Sequence, residues 1–169
     1  MVFERLREYG VEKIAWVGLR LTLGWMLIWA FFDKLLGLGY ATAESRAWIN
    51  GGSPTEGYLK FATSGPLSGF YEGIAGNVVV DWLFMMGLLF IGGAVLLGIG
   101  MKIASYAGAL LMLMLWSSNL PPANNPLIDE HIVFVFALLV MGAINAGQWF
   151  GLGKWWANTK LVKKYPILR

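Results

Sequence analysis

The chain has 169 residues, of which 57% are hydrophobic and 14% charged, against about 45–50% and about 25% in an ordinary soluble domain. So few charges cannot coat a globule of this size, the hydrophobicity excludes disorder, and the 22 glycines lack the Gly-X-Y period of collagen. Zero Cys and one His exclude a disulfide scaffold, a thiolate zinc site, an iron–sulfur cluster and bis-His haem on this chain alone, and an integral membrane protein is the predicted class.

Four apolar runs follow in chain order, each near the roughly 20 residues that cross about 30 Å of hydrocarbon. The first covers residues 14–36 and holds Arg20 and, at its end, Asp33 and Lys34. Its length and Arg20 argue against a cleaved leader, although Ala41-Thr42-Ala43 follows it. Arg20, Gly24, Leu27, Phe31 and Lys34 share one helical stripe. Arg20 has two readings there: snorkelling to the near surface, or an inward pairing or ligand role. Trp25 and Trp29 stand one turn apart.

Residues 37–77 form a long loop with Gly and Pro throughout. Loops beyond about 12–15 residues usually carry structure or function. Short helical pieces are expected around 42–49 and 55–62, with Trp48, Tyr58, Phe61, Phe70 and Tyr71 at headgroup level. The segment reads either as a cap over the bundle's mouth or as an inert connector.

The second run, 78–98, has Asp81 near its start, and the third, 103–120, has no formal charge after Lys102. The fourth, 128–146, carries Asp129, Glu130 and His131 in its first turns. Asn125 is the expected N-cap and Pro126 the first helical residue, with Asp129 and Glu130 complementing the helix dipole. Ala94/Gly98, Ala104/Gly108, Gly142/Ala146 and Ala143/Gly147 are small-xxx-small pairs, suited to internal packing or to a partner subunit. The tail, 147–169, is basic and rich in Trp, as expected of an anchor to anionic headgroups.

Four spans place both termini and the 98–102 turn on one side. That side carries Arg5, Arg7, Lys13, Lys102, Lys154, Lys160, Lys163, Lys164 and Arg169, whereas the other side's loops hold only Arg46 and Lys60. Nine against two predicts cytoplasmic termini, and it assigns the pI of 9.2 to the membrane face rather than to nucleic acid.

This topology brings Asp33, Lys34, Asp81, Asp129, Glu130, His131, Trp116 and Asn119 to the outer third of the membrane. Carboxylates beside a His and a Lys at that level suit proton-coupled chemistry on a lipid-dissolved quinone, which needs a proton donor or acceptor at each carbonyl oxygen. Lys34 and His131 are expected near the carbonyls, Asp33, Asp81 and Glu130 in proton relay, and Trp25, Trp29 and Trp116 against the ring, with lipid-facing packing the equal alternative for Trp25 and Trp29. Arg20, on its ligand reading, joins the binding set. A non-catalytic scaffold for a redox partner is the first alternative. A small-solute or proton transporter is the second, and it suffers from the few polar groups in the third span, chiefly Ser105 and Tyr106.

The segments LRLTLGWMLIWAFFDKLLG, VVDWLFMMGLLFIGGAVLLGIGMKIA and LPPANNPLIDEHIVFVFALLVMGAINAGQWFGLGKWW resemble the DoxX/DoxD family over most of the chain. The resemblance implies a four-transmembrane-helix bundle in the cell membrane, similar to the small subunit of thiosulfate:quinone oxidoreductase, once assigned to a terminal quinol oxidase. It implies a quinone as electron carrier and a partner subunit or homo-oligomer, and its motif positions fall on Arg20, Asp33, Lys34 and His131. Without Cys, thiosulfate sulfur cannot be held as a persulfide on this chain. The acidic outer side would also repel a divalent anion unless Arg46, Lys60 or Lys34 offsets it.

Overall fold

The computed structural model describes residues 10–169 and is helical, with no β-strand among those residues. Arg5 and Arg7, which belong to the basic side in sequence, lie outside the described residues. The apolar runs form α1 (Val11–Leu36), α4 (Val78–Leu97), α5 (Met101–Ser117) and α6 (Glu130–Ala143). The loop between α1 and α4 carries α2 (Glu56–Phe61) and α3 (Ser68–Gly73), and the tail carries α7 (Gly153–Ala157) and α8 (Lys160–Lys164). At 1.5 Å per residue, α1 and α4, with 26 and 20 residues, are long and apolar enough to cross a membrane. The shorter α5 and α6 have 17 and 14 residues.

The fourth apolar run starts its helix later than the sequence suggests, for a specific reason. Asn125 is not the N-cap and Pro126 is not helical: the Asn125 Oδ1 accepts from the Leu127 and Ile128 N–H groups at 2.9 and 3.1 Å within the connection ahead of the helix. A continuous helix would need the Leu127 carbonyl to accept from the His131 N–H four residues on. That carbonyl instead accepts from the Trp116 indole at 3.0 Å, and the His131 N–H donates to Asp129 Oδ1 at 3.0 Å. Asp129 is therefore the N-cap, with extended backbone. At the other end α6 stops at Ala143, and Asn145 turns left-handed at φ 52° into a 3₁₀ turn, Ala146–Gln148.

Chain-adjacent helices pack antiparallel. A Cβ on Gly24 of α1 would lie 2.6 Å from the Leu96 backbone, and one on Gly92 of α4 would lie 2.9–3.0 Å from Leu27 and Ile28. Gly108 of α5 meets Ile91 and Leu138, and Gly142 of α6 meets Ser105. Met85, Val95, Leu138 and Met141 are fully enclosed at the centre. The outward faces remain apolar: Phe90 is 67% and Phe136 64% exposed. Such a surface suits lipid rather than water.

The long loop is ordered against one end of the bundle. Tyr58 Oη lies 2.7 Å from Ser118 Oγ and accepts from Asn119 Nδ2 at 3.0 Å. Tyr71 Oη lies 2.6 Å from Ser117 Oγ and donates to the Met114 carbonyl at 3.0 Å. These bonds tie Tyr58 and Tyr71 of the loop to the last turn of α5 and the residues that follow it. The piece expected at 55–62 is α2. The one expected at 42–49 is two 3₁₀ turns, Glu44–Arg46 and Trp48–Asn50, and α3 is an additional helix that the sequence pattern does not signal. The basic tail folds back on the opposite end: the Lys102 N–H donates to the Arg169 carbonyl and the Trp156 indole to that of Leu168. Lys154, Lys160, Lys163 and Lys164 stay exposed.

Candidate functional site

The antiparallel order brings the C-terminal end of α1, the start of α4, the end of α5 and the start of α6 to the long-loop end of the molecule. Asp33, Lys34, Asp81, Trp116, Glu130 and His131 therefore share that end. No hydrogen bond or ion pair links Lys34, Asp81 and His131 to one another among the described residues, and each polar group has its own local setting.

Asp33 is 2% exposed and accepts from the Tyr40 and Ala41 N–H groups at 3.2 and 3.0 Å. Its carboxylate thus fixes the chain reversal after α1, where Gly37 takes a left-handed C-cap. Asp81, 5% exposed, receives three donors on Oδ1: Ser53 Oγ at 2.8 Å, Thr55 Oγ1 at 2.6 Å and the Thr55 N–H at 3.2 Å. It ties the loop to the first turn of α4. Glu130 is exposed, and Lys34 is half-buried without a hydrogen bond or ion pair among the described residues.

His131 has the most sharply defined hydrogen-bonding geometry of the polar groups at this end. Its Nδ1 lies 2.9 Å from Asp129 Oδ2, with side-chain exposures of 25% and 16%. The same carboxylate caps α6 through Oδ1, so the cap geometry that starts the helix also orients the ring. With the Nδ1 proton donated to Asp129, Nε2 is left as the open acceptor. Asp129 stands ahead of the helical segment. Sequence alone assigns Asp129 to the helix dipole and misses it as the partner of His131. An Asp two residues before a His, at a helix start, is the available signal.

The aromatic candidates separate. Trp116 spends its indole N–H on Leu127, beside the start of α6. Trp25, 54% exposed, lies on the outer face of α1, with Trp29 at 5.8 Å and Tyr40 stacked edge-on to Trp29 at 5.1 Å. Trp25 falls at the middle of α1, so only Trp29 and Tyr40 approach the long-loop end.

Arg20 lies at the opposite end of the bundle from Lys34 and is fully buried. Nη1 donates to the Val95 and Leu96 carbonyls, both at 3.0 Å, and Nη2 to those of Trp149 and Phe150 at 3.4 and 2.6 Å. It points inward, not to the surface. The last four carbonyls of α4 are thereby all satisfied: Ala94 by the Gly98 and Ile99 N–H groups, Val95 and Leu96 by Arg20, and Leu97 by the Leu152 N–H at 2.9 Å. Comparison with family models, with curated proteins and with solved structures returns no match, so the arrangement is interpreted from its own geometry.

Proposed function

We propose that the chain is a four-span protein of the cell membrane with both termini cytoplasmic, and that it serves a quinone-linked oxidoreductase as the subunit that handles the quinone. One observation carries the chemical part: an imidazole oriented by a carboxylate at 2.9 Å, with its other nitrogen in no hydrogen bond among the described residues, at the start of an apolar helix. Reduction of a quinone takes up two electrons and two protons. As imidazolium, His131 donates its Nε2 proton to a quinone oxygen while Asp129 stabilises the positive ring; as imidazole it takes the proton back in the reverse direction. Lys34, with no ion pair among the described residues, supplies the second proton, from its ammonium to the other quinone oxygen. The resemblance to the DoxX/DoxD family suggests thiosulfate as electron donor, two thiosulfate ions joining as tetrathionate as they release two electrons.

A second reading, a membrane scaffold for a redox partner, is favoured by the way Arg20, Asp33 and Asp81 spend their polar atoms on this chain's own loops. The two are separated with purified protein in lipid nanodiscs and a short-chain ubiquinone analogue. The redox reading expects saturable binding, and thiosulfate-dependent reduction with the native partner present. His131→Ala should lower turnover by about 100-fold or more, with helicity unchanged. A folded wild type that binds no quinone analogue overturns this reading, and unchanged turnover in His131→Ala favours the scaffold.

Topology is open to a direct check because the chain has no Cys. Single cysteines at exposed Gly39, Gly69 and Lys163 should react with an impermeant maleimide from outside the cell at Gly39 and Gly69, and at Lys163 only after lysis. Labelling of all three from one side would contradict the four-span arrangement.

A further inference from the structure

At the long-loop end a pocket of about 220 Å³ opens between the loop and the start of α4, lined by Trp48, Gly51, Gly52, Ser53, Gly76, Val78 and Asp81. Neither Lys34 nor His131 lines it, so it is separate from the dyad described above. Its one formal charge is Asp81, and that carboxylate is lopsided. Oδ1 is saturated by two hydroxyls and a backbone N–H, while Oδ2 receives no hydrogen bond among the described residues. Ser53 cannot turn to serve Oδ2, because its Oγ donates to Oδ1 and accepts from the Glu56 N–H at 3.0 Å. The Asp81 side chain is only 5% exposed, with no Lys, Arg or His in ion-pair range among the described residues, and Oδ2 is not among the enclosed unpaired atoms, so what surface it keeps is free to meet a cation.

The rest of the lining says which cation. Trp48 forms one wall, held edge-on to Trp82 at 4.7 Å, and Val78 adds an apolar surface. A bare divalent ion would want several charged oxygens, but no group of three or more Asp, Glu, His or Cys able to hold a metal occurs among the described residues. A carboxylate and an indole lining one space larger than a single ion offer the recognition chemistry of an organic ammonium, which pairs with the carboxylate and lays its alkyl part on the ring.

We infer that this pocket binds a primary ammonium group, with Asp81 Oδ2 as its counter-ion and Trp48 as its wall. Two sources supply that chemistry, the headgroup of an amine phospholipid and a free small amine. The inference does not rest on the redox reading. The test uses the full chain in detergent and in nanodiscs, with ethanolamine, ethylene glycol, glycolate and sodium ion as soluble probes. Phosphatidylethanolamine and phosphatidylglycerol serve as lipid probes, with retention read by native mass spectrometry. We expect ethanolamine or phosphatidylethanolamine to bind at one per chain, and Asp81→Asn to weaken that binding by about tenfold or more. Binding of ethanolamine points to the free amine, and binding of the lipid alone to the headgroup. Should Asp81→Asn fail to fold, the wild type decides: an amine probe must bind, and ethylene glycol and phosphatidylglycerol must not match it. Equal retention of both lipids without ethanolamine binding, equal effects of sodium and ethanolamine, no amine binding at all, or unchanged amine binding in a folded Asp81→Asn overturns the inference.

Discussion

Arg20→Leu should cost about 3–5 kcal/mol of stability. The guanidinium is fully buried and joins three segments distant in sequence: α1, the last turn of α4 and the stretch that follows α6. Removing it takes the donor from the Val95, Leu96, Trp149 and Phe150 carbonyls, and each buried group left unsatisfied costs about 1–3 kcal/mol. No neighbour can move in to replace it, because Gly98 and Gly151 close on the guanidinium and present no side chain. Arg20→Lys should recover only part of the loss, since one ammonium cannot reproduce a planar fork that reaches four carbonyls. Thermal unfolding in detergent, followed by far-UV circular dichroism, measures the loss. Limited proteolysis should show early cleavage between 149 and 153 in Arg20→Leu. If Arg20 were instead a ligand residue, both variants would keep wild-type melting and lose only quinone binding.

The contrast between Arg20 and His131 shows what a sequence can and cannot convey. An arginine inside an apolar run has to find partners or water, so its importance is legible at position 20. Its partners are not, because they are backbone carbonyls some 75 and 130 residues away, and carbonyls carry no residue-type signal. The same holds at Asp33, whose donors are the N–H groups of Tyr40 and Ala41. The four apolar runs are readable within a few residues because hydropathy over 20 residues is a summed property. The start of α6 is not, since Asn125 and Asp129 are both competent caps and a tertiary bond, Trp116 to Leu127, chooses between them. A shared end of the bundle is likewise predictable from span order alone. Convergence on one cavity does not follow from it: Asp81 turns to the loop, Asp129 to His131, and Glu130 to solvent.

Glycine substitutions should divide sharply by position, and the division tells internal packing from a partner interface. Gly147→Ala places a methyl against the Gly98 carbonyl and 2.6 Å from the Met101 side chain, and Gly24→Ala places one 2.6–2.8 Å from the Leu96 backbone. Backbone cannot swing aside as a flexible side chain can, so α1 must separate from α4, or the 146–153 stretch from the end of α4. Overpacking of this kind costs about 1–3 kcal/mol. Gly18 lies on the same helix as Gly24, and a methyl group added there would meet nothing within 4 Å. Gly18→Ala should therefore be neutral or stabilising by up to about 1 kcal/mol, as expected for Gly to Ala within a helix. The small-xxx-small pairs in the sequence suit either use, and Ala104, Gly108, Gly142 and Ala146 are all turned inward here. Melting temperature and oligomeric mass, measured together, separate the two roles. Internal packing predicts that Gly24→Ala and Gly147→Ala lower melting without changing mass. If Gly18→Ala dissociates an oligomer while leaving the monomer's helicity intact, the open face of α1 is where a second subunit sits.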